Sequence, residues 1–123
     1  MSIPDKQIVL KTVGEEYDCI LSNVKRKQIM YQGVSAGKKL ILCTPSSKLH
    51  PQGQGWFDLT IKQVEILDDS DIAILAVRLE GNKIYYINFK ELRELMTPDI
   101  MLENSREGKH WKFYVWGNYI KVQ

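Results

Sequence analysis

From Trp56 to Met96 the chain spells WFDLT-IKQVEIL-DDSD-IAILAVRLE-GN-KIYYINF-KELRELM. Periodicity and punctuation make this a helix, a strand, a tight turn, a strand and a second helix. That order leaves few folds open. Thr60 with Gln63 fits a capping box, in which each residue satisfies an orphan N–H near the other. Ile61, Val64 and Leu67 then fall on one helical face, and Asp68-Asp69-Ser70-Asp71 ends the helix in a solvated turn. Asn88 with Glu91 signals the second helix. Leu92, Leu95 and Met96 form its apolar stripe, and Thr97-Pro98 stops it.

Gly81-Asn82 between two β-branched and aromatic runs predicts a two-residue hairpin turn. That register sets Glu80 opposite Lys83, Leu79 opposite Ile84 and Val77 opposite Tyr86. IAILAV is apolar on both faces, which predicts a central strand covered on both sides. The end of the chain repeats the pattern, with strands over 111–116 and 119–122 around Gly117-Asn118. Val122 then faces Phe113, and Ile120 faces Val115. Trp111, Phe113 and Val115 read as core. The opposite face carries Tyr114 and Trp116 beside Lys112 and Lys121, which would make a stacking platform for bases if exposed.

At 123 residues the chain is long enough for one core, so we expect a single domain over 1–123. Its apolar runs are too short to span a bilayer. The opening Met-Ser-Ile-Pro-Asp has neither a basic nor an apolar leader region, so the expected location is cytoplasmic, with no membrane partner. Cys19 and Cys43 are too few for a disulfide framework and read as small buried hydrophobes. A net charge of +2 points to no partner by itself.

Upstream, Ser2, Pro4 and Asp5 read as a helix start and Gly14 as its C-cap, while the β-branching of QIVLKTV between them leaves a strand as the alternative. Strands are expected over 16–23, 29–34 and 39–43, with a basic turn at 24–28 and a turn at 35–37. TPSSKLHPQGQG, residues 44–55, is a long Pro/Gly stretch, the kind that carries function or moves; it holds His50. A second polar connection covers 101–109. The expected fold class is therefore α+β, with a mostly antiparallel sheet of about five to seven strands and two to three short helices.

Pro98-Asp99, seven residues, then Glu107-Gly108-Lys109 spells PD-x7-ExK. This resembles the signature of the PD-(D/E)XK nuclease superfamily, which includes many restriction endonucleases. The resemblance implies Asp99 and Glu107 as ligands of Mg²⁺ or Mn²⁺, and Lys109 as the group that orients or activates water for phosphodiester hydrolysis. A looser, topological resemblance covers the segment from IAILAV to the final Trp-rich hairpin. It implies a site earlier in the chain, with Glu16 or Asp18 as an acidic ligand. The strands that would carry the (D/E)xK triplet read YQGV and GKK, with no carboxylate two residues before a Lys.

The remaining candidates are cations. Lys25, Arg26, Lys27, Lys38, Lys39 and Lys48, gathered on one face beside the loop 44–56, would neutralise phosphates and bind nucleic acid with little sequence preference. No G-x-S-x-G, H-E-x-x-H, P-loop, dinucleotide or calcium-loop pattern is present, and no cofactor is implied outside the nuclease reading. The leading expectation is a non-catalytic, nucleic-acid-associated recognition module. The alternatives are a metal-dependent nuclease or decayed relative, and a protein-binding accessory or inhibitor subunit. A homodimer through an edge hairpin is also open.

Overall fold

The structure, a computed structural model, describes residues 2–104, 108–117 and 119–122. In chain order these form α1 (Lys6–Tyr17), β1 (Ser22–Asn23), β2 (Met30–Ser35), β3 (Lys38–Cys43), β4 (Ser46–Ser47) and β5 (Gly55–Thr60). Then follow α2 (Ile61–Asp68), β6 (Ile72–Leu79), β7 (Lys83–Asn88), α3 (Phe89–Arg93), a 3₁₀ turn (Pro98–Ile100), β8 (Leu102–Asn104), β9 (Gly108–Val115) and β10 (Ile120–Val122). The fold class is α+β, with mostly antiparallel pairing. The strands divide between two sheets rather than making one.

The first sheet runs β1-β2-β3-β6-β7, and β4 continues the line of β3 along β6. Among the described residues only the β3–β6 and β4–β6 pairings are parallel. The second sheet has β9 at its centre, β5 on one side, and β8 and β10 sharing the other. IAILAV is central as expected. Leu75, Val77 and Leu79 point into the core shared with Phe57, Leu59, Trp111, Phe113, Leu67 and Phe89. Ile74 and Ala76 point the other way, to Val9 and Val13 of α1. The order of layers is thus α1, first sheet, then α2, α3 and the second sheet. Both faces of β6 are apolar because both are covered.

The Thr60 capping box is formed: Gln63 N–H donates to Thr60 Oγ1 at 3.3 Å, and Thr60 N–H to Gln63 Oε1 at 2.9 Å. Asn88 caps α3 by accepting from Lys90 N–H. That helix stops at Arg93, so Leu92 and Met96 are buried while Leu95 is 60% exposed. Asp5, not Ser2, caps α1, and the helix runs through Gly14 to an αL cap at Asp18. The strand expected over 16–23 shrinks to β1, because α1 runs on through Tyr17 to its cap at Asp18 and 19–21 are irregular.

Two further expectations change. GWFDLT is not merely the approach to a helix; it is the strand β5, running directly into α2, with Phe57 and Leu59 inward and Trp56, Asp58 and Thr60 outward. The β6–β7 register is one residue away from the expected one: Leu79 faces Lys83, Arg78 faces Ile84 and Val77 faces Tyr85. The connection is Glu80-Gly81-Asn82, three residues, with Gly81 at φ 92° and Asn82 at φ 61°. Tertiary bonds account for the shift. Gly81 and Asn82 N–H both donate to Ser2 O at 3.1 Å, and Glu80 N–H donates to Ser47 O. Glu80 is thereby held away from Lys83, and Tyr86 turns to the α1 face. The β9–β10 register is the expected one, Phe113 with Val122 and Val115 with Ile120. Asn118 of its turn lies outside the described residues.

Arg78 is the polar group at the centre of the fold, 7% exposed. Its Nε donates to Thr44 Oγ1 at 3.0 Å, Nη2 to Thr44 O at 3.0 Å and Nη1 to Pro4 O at 3.1 Å. Thr44 Oγ1 in turn donates to Ala76 O. Burial lowers the guanidinium pKa and the nearby Asp5 carboxylate opposes that shift; an arginine stays charged regardless. One buried cation thus ties together the segment before α1, the end of β3 and β6.

Candidate nucleic-acid interface

The long loop after β3 is pinned rather than structureless. Thr44 N–H donates to Ile29 O, and Arg78 N–H to Pro45 O. Ser47 Oγ donates to Lys48 O and accepts from Trp56 N–H at 3.0 Å. Leu49 N–H reaches Glu80 Oε1, and a tight turn closes through His50 and Gln54. These bonds arch the loop over the start of β5 and leave a groove of about 700 Å³ lined by Ile29, Lys48, His50, Trp56 and Asp58, among others.

Trp56 stands at the edge of this groove, 38% exposed. Lys112 Nζ lies 5.1 Å from its ring centroid, and the His50 ring tilts against it with centroids 6.0 Å apart. Alternation along the strands explains the arrangement. Inward Phe57, Leu59, Trp111, Phe113 and Val115 force Trp56, Lys112 and Tyr114 onto the outer face. Register then places Trp56 beside Tyr114 and Tyr114 beside Lys121, an aromatic–aromatic–cation row across three strands. Lys112 faces Asp58 in the adjacent row. Beyond it, Trp116 and Tyr119 stack with centroids 6.2 Å apart.

The structure divides the six cations singled out in the sequence. Lys25, Arg26 and Lys27 form the turn into β2, clamped by Asn23 Nδ2 on Lys27 O and Met30 O. This is the Met30–Cys43 end of the β2–β3 hairpin, and Ile29, two residues on, shares the groove with Lys48. Lys38 and Lys39 sit at the opposite end, beside Ser35 and Val34. A six-residue strand separates the two groups by roughly 17 Å. Lys39 Nζ is paired with Asp69 at 3.2 Å, and its N–H donates to Asp71 Oδ2. Convergence of all six on one face is therefore not what the fold produces: Lys25, Arg26, Lys27 and Lys48 come to the groove end, while Lys38 and Lys39 do not. Asp68, the last residue of α2, is likewise engaged, with Arg93 at 3.1 Å.

Trp56 is the site residue that sequence reasoning undervalued. Its signal was present in the alternation of GWFDLT, which marks a strand with one outward aromatic.

For the nuclease signature, Asp99 lies in the 3₁₀ turn and Lys109 on β9 opposite Glu103 of β8. Glu107, with Ser105 and Arg106, lies outside the described residues. Glu16 lies in the last turn of α1 and Asp18 caps it, both exposed. Among the described residues no group of three or more His, Cys, Asp and Glu could hold a metal ion. Of the residues that the resemblance implies, Asp99 and Lys109 are thus the described ones. Cys43 is buried on β3, its thiol pushed up to about 12 by desolvation; Cys19 is raised by desolvation and by Asp18. Neither is a poised nucleophile. No helix among the described residues is long and apolar enough to cross a membrane. No family model, curated protein or solved structure matches this chain.

Proposed function

We propose that the chain is a non-catalytic recognition module, acting in the cytoplasm, that binds single-stranded nucleic acid across the outer face of β5 and β9. The observation that carries this reading is Trp56: an exposed indole with Lys112 over its ring, Tyr114 beside it, and Lys48 and His50 on the bordering loop. Rings on adjacent strands offer successive bases a stacking surface, and flexible amines around them neutralise phosphates. A base stacking on Trp56 displaces the Lys112 amine toward the neighbouring phosphate. Lys121 continues the row, and Lys25, Arg26 and Lys27 extend the positive margin past Ile29. Lys38 and Lys39 take no part.

Fluorescence anisotropy with labelled single-stranded DNA and RNA twelve-mers tests this. Neutralising three to four phosphates predicts an affinity loss of about 20–50-fold between 50 and 200 mM salt. Trp56→Ala should weaken binding by about 1–3 kcal/mol, whereas Lys38→Ala should leave it unchanged. No binding at low salt, or binding indifferent to Trp56→Ala, defeats the reading.

A further inference from the structure

The margins of the two sheets differ in one respect. β1 and β4 have two residues each, and β8 and β10 three. The start of β5 is covered by Ser47, whose hydroxyl takes the Trp56 N–H. β5 and β7 are the six-residue edges; unlike β5, whose Trp56 and Thr60 N–H groups are taken by Ser47 Oγ and Gln63 Oε1, β7, KIYYIN, is paired with β6 on one side and has no strand among the described residues on the other. Alternate N–H and C=O groups along that outer margin face away from the sheet. Such an edge is a template for another strand unless charge, proline or a bulge blunts it. β7 has no proline, and its one charge, Lys83, is at its first position. Tyr86, near its middle, is 44% exposed, although Ile84 and Ile87 flanking it pack against the two cores.

We propose that β7 pairs antiparallel with β7 of a second copy of this chain, joining the two first sheets across a two-fold axis at Tyr86. A two-fold interface must be self-complementary, and this edge is. Centred on Tyr86, the pairing sets Tyr86 against its counterpart, Ile84 against Asn88 and Tyr85 against Ile87. The two Lys83 residues fall beyond opposite ends of the ladder, roughly 20 Å apart, so no like charges meet. The Trp56 surface lies on the other sheet, so this inference stands apart from the nucleic-acid reading.

Sedimentation of the full chain over about 1–300 µM is the test. The wild type should move from 14.3 kDa toward twice that mass as concentration rises. Tyr86→Lys and Tyr86→Asp, each checked for folding by circular dichroism, should each be monomeric throughout, since each places like charges at the axis. Mixing the two should restore the dimer. A wild type that stays monomeric to 300 µM overturns the proposal and leaves the edge to a strand from another protein. A dimer untouched by either substitution, or a mixture that stays monomeric, overturns the pairing at Tyr86.

Discussion

Two hairpins in this chain carry the same Gly-Asn dipeptide, and they behave differently. β9–β10 takes the register that a two-residue turn implies. β6–β7 is displaced by one residue and closes through three. The local chemistry is the same; the surroundings are not. At the turn of the first hairpin, Ser2 O and Ser47 O claim the N–H groups of Glu80, Gly81 and Asn82. The second lies at the margin of the smaller sheet. Where long-range hydrogen bonds are dense they override the turn signal, and a one-residue slip turns every side chain of a strand to the other face. That slip puts Tyr86 on the α1 side and Tyr85 over the core.

If the centre is fixed by tertiary polar bonds, removing the cation there should be the most damaging change. Arg78→Ala leaves the Pro4 and Thr44 carbonyls buried without their donor, and we expect a loss of about 3–5 kcal/mol in urea unfolding. Lys112→Ala, on the outer face of the second sheet, should cost under about 1 kcal/mol. Equal losses would break the contrast between centre and margin.

Cys43, beside Leu75 in the ladder of β3 and β6, offers a pH test of the same region. Desolvation pushes its thiol up from an ordinary 9.0 to about 12 in the folded chain. Below pH 9 both folded and unfolded states hold the proton, and the thiol favours neither. Above it the unfolded chain releases the proton and the folded chain keeps it. Stability conferred by the neutral thiol should therefore fall by about 1.4 kcal/mol per pH unit as pH rises from about 9 toward 12. Cys43→Ala should unfold with a shallower alkaline slope, whatever its stability at neutral pH. An unchanged slope would mean that the thiol is not desolvated.

What could be read in advance follows the same division. The Thr60 capping box, the doubly buried β6 and the β9–β10 register rest on contacts within a few residues or on strong periodicity, and all three hold. Ser2 reads as a helix cap, but its carbonyl is taken by Gly81 and Asn82, some eighty positions away along the sequence. GWFDLT alternates like a strand, yet the capping box at its end draws attention to the helix that follows. At the candidate site, the outward set of Tyr114, Lys112 and Lys121 is legible from alternation alone. The grouping of the cations is not, because it depends on which end of the β2–β3 hairpin each one occupies.

At the first hairpin itself, Asn82 holds φ 61°, in the left-handed region that Asn tolerates and most residues avoid. Asn82→Ala should cost about 1 kcal/mol by thermal unfolding, and Asn82→Gly should be close to neutral. An equal effect from both would mean that the Asn side chain, rather than its backbone conformation, is what matters there.

The smallest effect concerns the bond that joins the two hairpins. Tyr85 Oη donates to Gly117 O at 2.9 Å, linking β7 to the tip of β9–β10. The bond is solvent-exposed, so water replaces either partner when it is lost, and the net contribution is near the low end of about 0.5–1.5 kcal/mol. Tyr85→Phe keeps the ring against the core and removes only the hydroxyl. The global change should accordingly be about 0.5 kcal/mol. The local change is the more informative readout. If the second hairpin depends on the first for its position, amide exchange at Tyr119 to Val122 should quicken in Tyr85→Phe while exchange along β6 stays as it was. Equal quickening in both would show one cooperative unit, and the contrast between a tertiary-fixed centre and a locally encoded margin would then fail.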